Sequence, residues 1–241
     1  LNTFNLKNRF SENDHLIVCI SWTYGSGGVN IGFKLADKLK INFYDAEIFE
    51  AVLKRLEAQK DSIQDSVSYG IKPGIKKEPA HDQDANVNPS EAFIPERHLT
   101  LRQRMREFSR FHGLPKRDAV FFNESDLLVD MAKKEDFVIL GRCGDAIMAN
   151  NNIPHISIYI TAPFEQRIKR AMEIDSSLTV KQARHMLKHL DHVHSQYYHY
   201  YTNRNWGHSN NYDLCINSAS YGIDGTVDFI YRMITAREED K

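Results

Sequence analysis

Apolar residues in this chain gather in short unbroken runs, separated by longer stretches where they recur every three or four positions. The runs are Ile17-Val18-Cys19-Ile20, Phe137-Val138-Ile139-Leu140 and Ile156-Ser157-Ile158-Tyr159-Ile160. Such runs, bounded by glycine or polar residues, read as strands buried on both faces. They predict strands over 16–21, 137–140 and 156–160, with further short strands over 41–45 and 212–217. The intervening spacing predicts helices over 30–40, 46–59, 98–111, 116–134, 163–173, 178–194 and 223–236. In the second of these, Ile48, Phe49, Val52, Leu53 and Leu56 fall on one face. Thr161 is placed to cap the helix that opens near Pro163. Strands alternating with helices predict an α/β fold, a parallel sheet with helices on both faces. Ligands in such sheets bind at the carboxyl ends of the strands.

One segment breaks the pattern. Residues 61–96 hold four of the seven prolines and few aliphatic residues. They read as a flexible insertion in an otherwise single domain over 1–241, either a mobile lid or a tolerated excursion.

Composition narrows the picture. The formal net charge is −1 and the sequence pI about 6.9, so no general positive field exists to hold a nucleic-acid backbone. No run of about 18 apolar residues appears, which predicts no membrane span. The polar start, LNTFNLKNRFSENDH, does not read as a signal peptide. Cys19, Cys143 and Cys215 stand far apart in apolar or strand-like settings without a CxxC pair. They read as buried free thiols in a reducing compartment, which predicts a cytoplasmic protein.

The strongest chemical signal follows the first strand. Gly25-Ser26-Gly27-Gly28 forms a glycine-rich turn between a buried strand and a helix, the arrangement that cradles a phosphate. Backbone N–H groups and the helix N-terminal dipole attract the anion there. Against the pattern GxxxxGK[ST], however, the lysine position holds Gly28, the next holds Val29, and the first glycine position holds Trp22. Asp45 ends the second strand and Arg142 follows the strand over 137–140, so both fall at the ligand-binding edge.

Taken in order, ISWTYGSGGVNIG, INFYDAEIF, FVILGRCGDAIM, ISIYITAPFEQRIKR, SQYYHYYTNRNWG and NYDLCINSASYGID resemble the cytidylate kinase-like family of P-loop nucleoside monophosphate kinases. The resemblance implies a three-layer sandwich with a lid region over about 161–210. It also implies transfer of the γ-phosphoryl of ATP to a nucleoside monophosphate, CMP or dCMP, with Mg²⁺ as cofactor. No nucleic acid or membrane partner is expected, no metal-binding residue is assigned, and homo-oligomerisation is left open. Gly25, Ser26, Gly27 and Gly28 would bind the ATP phosphates. Arg142 would grip the acceptor phosphate with two parallel hydrogen bonds, or else cap a helix start. Asp45, Arg117 and Asp145 would join it at the acceptor; Asp45 reads equally well as a helix N-cap. Arg167 and Arg170, three apart on one helical face, would neutralise charge in the transition state, or else line a solvated face.

Several positions depart from the family pattern. Ser21-Trp22-Thr23 stands where relatives carry Ser-Arg-Glu, Val29-Asn30 where they carry Arg-Glu, and Asp191-His192-Val193-His194 where they carry Asp-Lys-x-Arg. Each change removes charge near the triphosphate, and each such contact is typically worth a few kcal/mol in a phosphoryl transition state. Arg184, Lys188 and Arg204 are candidates to compensate. His185, His189 and His192 share a helical face, open to reading as a metal site, a pH-sensitive surface or neither. The alternative to an active kinase is therefore a nucleotide-binding pseudokinase with a sensing or regulatory role.

Overall fold

The computed structural model describes residues 6–45, 116–141 and 143–236. The helices expected over 46–59 and 98–111, the insertion over 61–96 and Arg142 lie outside the described residues.

Among the described residues, five parallel strands form the sheet: β1 (Ile17–Trp22), β2 (Asn42–Asp45), β3 (Phe137–Leu140), β4 (Ile156–Thr161) and β5 (Leu214–Asn217), in spatial order β2-β3-β1-β4-β5. β1 lies in the centre. It pairs Ile17 with Phe137 and Ile20 with Leu140 on one side, and Val18 with Ile156 and Trp22 with Ile160 on the other. The described helices are α1 (Gly28–Leu39), α2 (Lys116–Ala132), α3 (Gly144–Asn150), α4 (Phe164–Ile174), α5 (Val180–Thr202) and α6 (Ser218–Thr235).

The apolar runs are buried because both faces of the sheet are covered. Val18, Ile20, Trp22, Val138, Leu140, Ile158 and Ile160 pack with Ile31, Leu35, Val227 and Ile230 of α1 and α6. The alternate residues Ile17, Cys19, Phe137 and Ile139 pack with Leu128 and Ala132 of α2 and with Ile147 and Met148 of α3. A side-chain period of two along each strand thus divides one run between two cores.

Three boundaries differ from the sequence expectation for physical reasons. Thr161 is the last residue of β4, in register with Asn217, and Pro163 takes the N-cap position of α4 without a side-chain cap bond. α5 starts at a capping box of Thr179 and Gln182 and continues eight residues past His194 to Thr202. The extension is held by packing, since Tyr198 is buried against Cys143 and Ala146, with Tyr197 and Tyr201 alongside. α6 begins at Ser218, capped by Asn217, and carries a break at Gly222 (φ 68°, ψ 177°) before the predicted start at Ile223. One cysteine also departs from expectation. Cys19 and Cys143 are buried free thiols, but Cys215 is exposed on β5, which among the described strands has a neighbour on one side only.

A buried ion pair closes the sheet on the β4–β5 side. Arg9 reaches Asp213 with two bonds of 2.7 and 2.8 Å and gives a third, of 2.8 Å, to the carbonyl of His155. Burial alone would raise the Asp213 carboxyl. The bonds from Arg9 and from the Ser157 amide and hydroxyl override it and hold the group below the usual carboxylate range.

Candidate active site

The glycine loop leaves β1 at Trp22 and enters α1 at Gly28. Gly25 (φ 78°) and Gly27 (φ 83°) both take the left-handed conformation that suits glycine. These two turns fold the loop so that its carbonyls are all spoken for. Tyr24 O accepts from Arg167 Nη1 (3.1 Å), Gly25 O from Arg170 Nη1 (3.2 Å), and Ser26 O from Ser218 Oγ (2.5 Å). Ser26 is fully buried; its amide donates to Thr23 O (3.0 Å) and its hydroxyl to Ile160 O (3.3 Å). The amides of Gly25, Gly27 and Gly28 donate to no acceptor among the described residues. A peptide unit is planar, so a carbonyl fixed on one side aims the next N–H to the other. The loop therefore presents unspent donors at the positive end of α1, which is what an anion site requires.

A cation stands beside these donors. A methyl group added at Gly27 would lie 2.8 Å from Arg170 Nη1, so the guanidinium rests directly over the loop. Its one hydrogen bond among the described residues is to Gly25 O, leaving further N–H groups of the fork for a ligand. Arg167 is placed differently. It is 6% exposed, pairs with Asp191 at 2.7 Å and stacks over the Phe164 ring at 4.8 Å. The two arginines share a helix face but divide its tasks: one is partly open at the loop, the other is buried behind it.

The lysine position is closed by packing. Trp22 is 4% exposed, and a methyl group at Gly28 would collide with its Cβ and Cγ and lie 2.8 Å from its Cδ1. Val29, at the position of the usual metal-binding hydroxyl, is 42% exposed and apolar, and Asn30 beyond it is exposed. No group of three His, Cys, Asp or Glu that could hold a metal occurs among the described residues. The described residues thus offer no three-ligand cage of their own, and a Mg²⁺ ion arriving with ATP would take its ligands chiefly from the phosphates and water.

Asp45 and Asp145 fall on the β3 side of the loop. Asp45 ends β2 opposite Leu140, one residue before Gly141 (φ 80°). Asp145 lies in the first turn of α3 and is 3% exposed. Tyr198 of α5 donates to its Oδ2 at 2.7 Å, and its Oδ1 finds no geometric hydrogen-bond partner among the described residues. Burial raises the Asp145 carboxyl, opposed by the Tyr198 bond and nearby His155. Burial likewise pushes the Tyr198 phenol up. Arg117 lies in α2, with its side chain outside the described atoms. The compensating candidates diverge: Arg184 pairs with Glu165 at 2.8 Å, Lys188 stands 6.0 Å over Phe164, and His199 lies 3.3 Å from Arg204 O.

Sequence reasoning passed over Tyr24 and Ser218, both of which touch the loop. Tyr24 adjoins the glycines, a signal available in the sequence. Ser218 is 192 residues from Ser26, and no local pattern links them.

The profile of the cytidylate kinase-like family matches residues 17–220, from the start of β1 into α6. The chain belongs to the cytidylate kinase-like family. Membership carries a kinase-type function on nucleotides. Among solved structures, an uncharacterized protein from Eubacterium ventriosum is 22% identical, with 91% of this chain and 98% of that one covered and a TM-score of 0.60. A shikimate kinase from Bacteroides thetaiotaomicron is 11% identical, with 91% and 98% covered and a TM-score of 0.47. The first of these likenesses agrees with the α/β fold described above. No curated protein matches the chain in sequence. No described helix is long and apolar enough to cross a membrane.

Proposed function

We propose that this chain transfers the γ-phosphoryl group of ATP to a nucleoside monophosphate, with CMP or dCMP as the acceptor that the family points to. The observation that carries the reading is the loop itself: three undonated amides, carbonyls held back by Arg167, Arg170 and Ser218, and the Arg170 guanidinium over Gly27. A phosphate oxygen of the acceptor attacks the γ-phosphorus. The bond from that phosphorus to the β–γ bridging oxygen breaks, and ADP leaves with the electron pair. Such a transfer needs position and positive charge more than covalent help. In this reading Arg170 faces the triphosphate in place of the missing lysine, and Arg167 acts from behind by orienting the loop. Arg142, Asp45, Arg117 and Asp145 belong to the acceptor side.

A second reading is favoured by one feature. The positions of Trp22 and His194, where the family pattern carries arginines, are occupied by rings in mutual contact at 5.6 Å. A protein so arranged would bind nucleotide without turnover. The deciding experiment incubates the chain with ATP, Mg²⁺ and each nucleoside monophosphate and follows diphosphate formation. Fastest turnover with CMP or dCMP is expected. Calorimetric ATP binding with no diphosphate from any acceptor would replace the kinase reading with the second one.

A further inference from the structure

Three hydrogen bonds converge on Tyr24, the residue before the first loop glycine. Its amide donates to Asp191 Oδ1 (3.1 Å), its carbonyl accepts from Arg167 (3.1 Å), and its hydroxyl lies 3.0 Å from His194 Nε2. Asp191 and His194 are one turn apart on α5, and Arg167 of α4 is itself bonded to Asp191 at 2.7 Å. The two helices therefore meet the loop at one residue, through its backbone amide and carbonyl and through its hydroxyl. His194 in turn sits among three rings. Tyr24 is 4.8 Å away, and Trp22 and Trp206 lie edge-on at 5.6 and 5.7 Å.

We propose that Tyr24 is a positioning residue of the nucleotide site, through which the glycine loop and the α4–α5 pair change conformation as one element. The physical links are two: the hydroxyl that joins Tyr24 to His194 of α5, and the peptide plane between Tyr24 and Gly25. The carbonyl of that plane is bound by Arg167, and its N–H is one of the three undonated amides. An anion accepting from that N–H polarises the plane and strengthens the Arg167 bond on the other side. Arg167 pulls on Asp191, and Asp191 holds the Tyr24 amide. Occupancy of the loop thus tightens α5 against it, and by reciprocity a loosened α5 weakens nucleotide binding. Asp191, Arg167 and His194 are further positioning residues in this element, and none needs to touch the nucleotide.

The proposal deepens the nucleotide reading above and rests on it. The chain carries its own reporter, because its two tryptophans, Trp22 and Trp206, both flank His194. The wild-type chain is titrated with ATP by calorimetry and by tryptophan fluorescence in the same buffer. The titrations are repeated on Tyr24→Phe, which keeps the ring and backbone and removes the hydroxyl beside His194. Wild type should show a saturable fluorescence change with the calorimetric midpoint. Tyr24→Phe should bind ATP about 2- to 12-fold more weakly, the range expected for one hydrogen bond. Its fluorescence change at saturating ATP should also fall by more than half. A merely structural role would lower the melting temperature and leave that saturating amplitude intact, which would overturn the proposal. Calorimetric binding with silent fluorescence in wild type would also overturn the proposal, while the nucleotide reading stands. Absence of calorimetric binding with any nucleotide would overturn both.

Discussion

Gly28→Ala tests why this loop has no lysine. Gly28 is the first residue of α1, and the added methyl would collide with Trp22 Cβ and Cγ. Trp22 cannot swing aside cheaply: it ends β1, is 4% exposed, and also packs against Gly141, where a methyl would stand 3.3 Å from its Cζ3. Overpacking of a tight core costs about 1–3 kcal/mol, and a contact this close to a strand backbone belongs at the upper end. Alanine returns up to about 1 kcal/mol through helix propensity. The net loss is then about 2 kcal/mol, or about 4–8 °C in melting temperature for a chain of this size. The assay is thermal unfolding of wild type, Gly28→Ala, Trp22→Ala and the double variant. Trp22→Ala alone should cost about 3–5 kcal/mol through the cavity it leaves. The double variant should be more stable than the sum of the single losses predicts, because truncation removes the Cγ and Cδ1 contacts and leaves only the Cβ to give way into the emptied space. An unchanged melting temperature for Gly28→Ala, or strict additivity in the cycle, would refute the claim that packing excludes a side chain at this position.

Other expectations follow from the same geometry. Arg170→Ala should lower turnover by about 100- to 1,000-fold, as loss of a transition-state donor does. Its melting temperature should stay near wild type, since its guanidinium makes one described hydrogen bond, to Gly25 O; steady-state kinetics and a thermal scan check both. Arg9→Ala should cost about 3–5 kcal/mol by stranding the Asp213 carboxylate, measured by denaturant unfolding at pH 7. Asp213 titrates below its ordinary value in the folded state, so its stabilisation is present above about pH 4 and fades as pH falls through the folded pKa. Asp213→Asn should flatten that acid limb. Asp145 has the opposite sign: its folded pKa is raised, so the folded state binds the proton more tightly. Stability from this group falls as pH rises from about 4, the unfolded value, through the folded pKa. Asp145→Asn should remove that decline, seen as melting temperatures that differ less between pH 5 and 8 than in wild type.

The sheet was legible because its runs are pure. Ile17 to Ile20 and Phe137 to Leu140 are apolar at every position, and a strand covered on both faces is what such a run becomes. The glycine loop was legible because its conformational need is local: Gly25 and Gly27 take left-handed turns within a four-residue span. The length of α5 was not, because tyrosines 197, 198 and 201 carry no polar–apolar contrast of their own. Their helical state is fixed by Cys143 and Ala146, some fifty residues earlier. Thr161 was misread as a cap because its register with Asn217 is a property of the sheet, invisible in its neighbours along the chain. The arginines divide in the same way. Spacing puts Arg167 and Arg170 on one face, but which of them is buried depends on Asp191, twenty-four residues on.

The departures at Trp22 and His194 acquire a different meaning once placed. In sequence they are two independent losses of charge, 172 residues apart. In the fold they are neighbours, edge to face at 5.6 Å, with Tyr24 and Trp206 completing the ring set. Either residue alone would strand an aromatic side chain beside an anion site. Together they fill one volume, and the indole that fills it is also what forbids a side chain at Gly28. Positive charge at the loop then has to come from another direction, and Arg170 supplies it from α4, anchored on Gly25 O. A cation on α4 is tied to α5 through the Arg167–Asp191 pair, whereas a lysine at position 28 would be tied to the loop. The same substitution set that removes charge from the loop therefore makes the remaining charge depend on the seating of two helices. On the proposed reading, phosphate binding and helix docking are one event in this chain, where a loop-borne lysine would keep them separate.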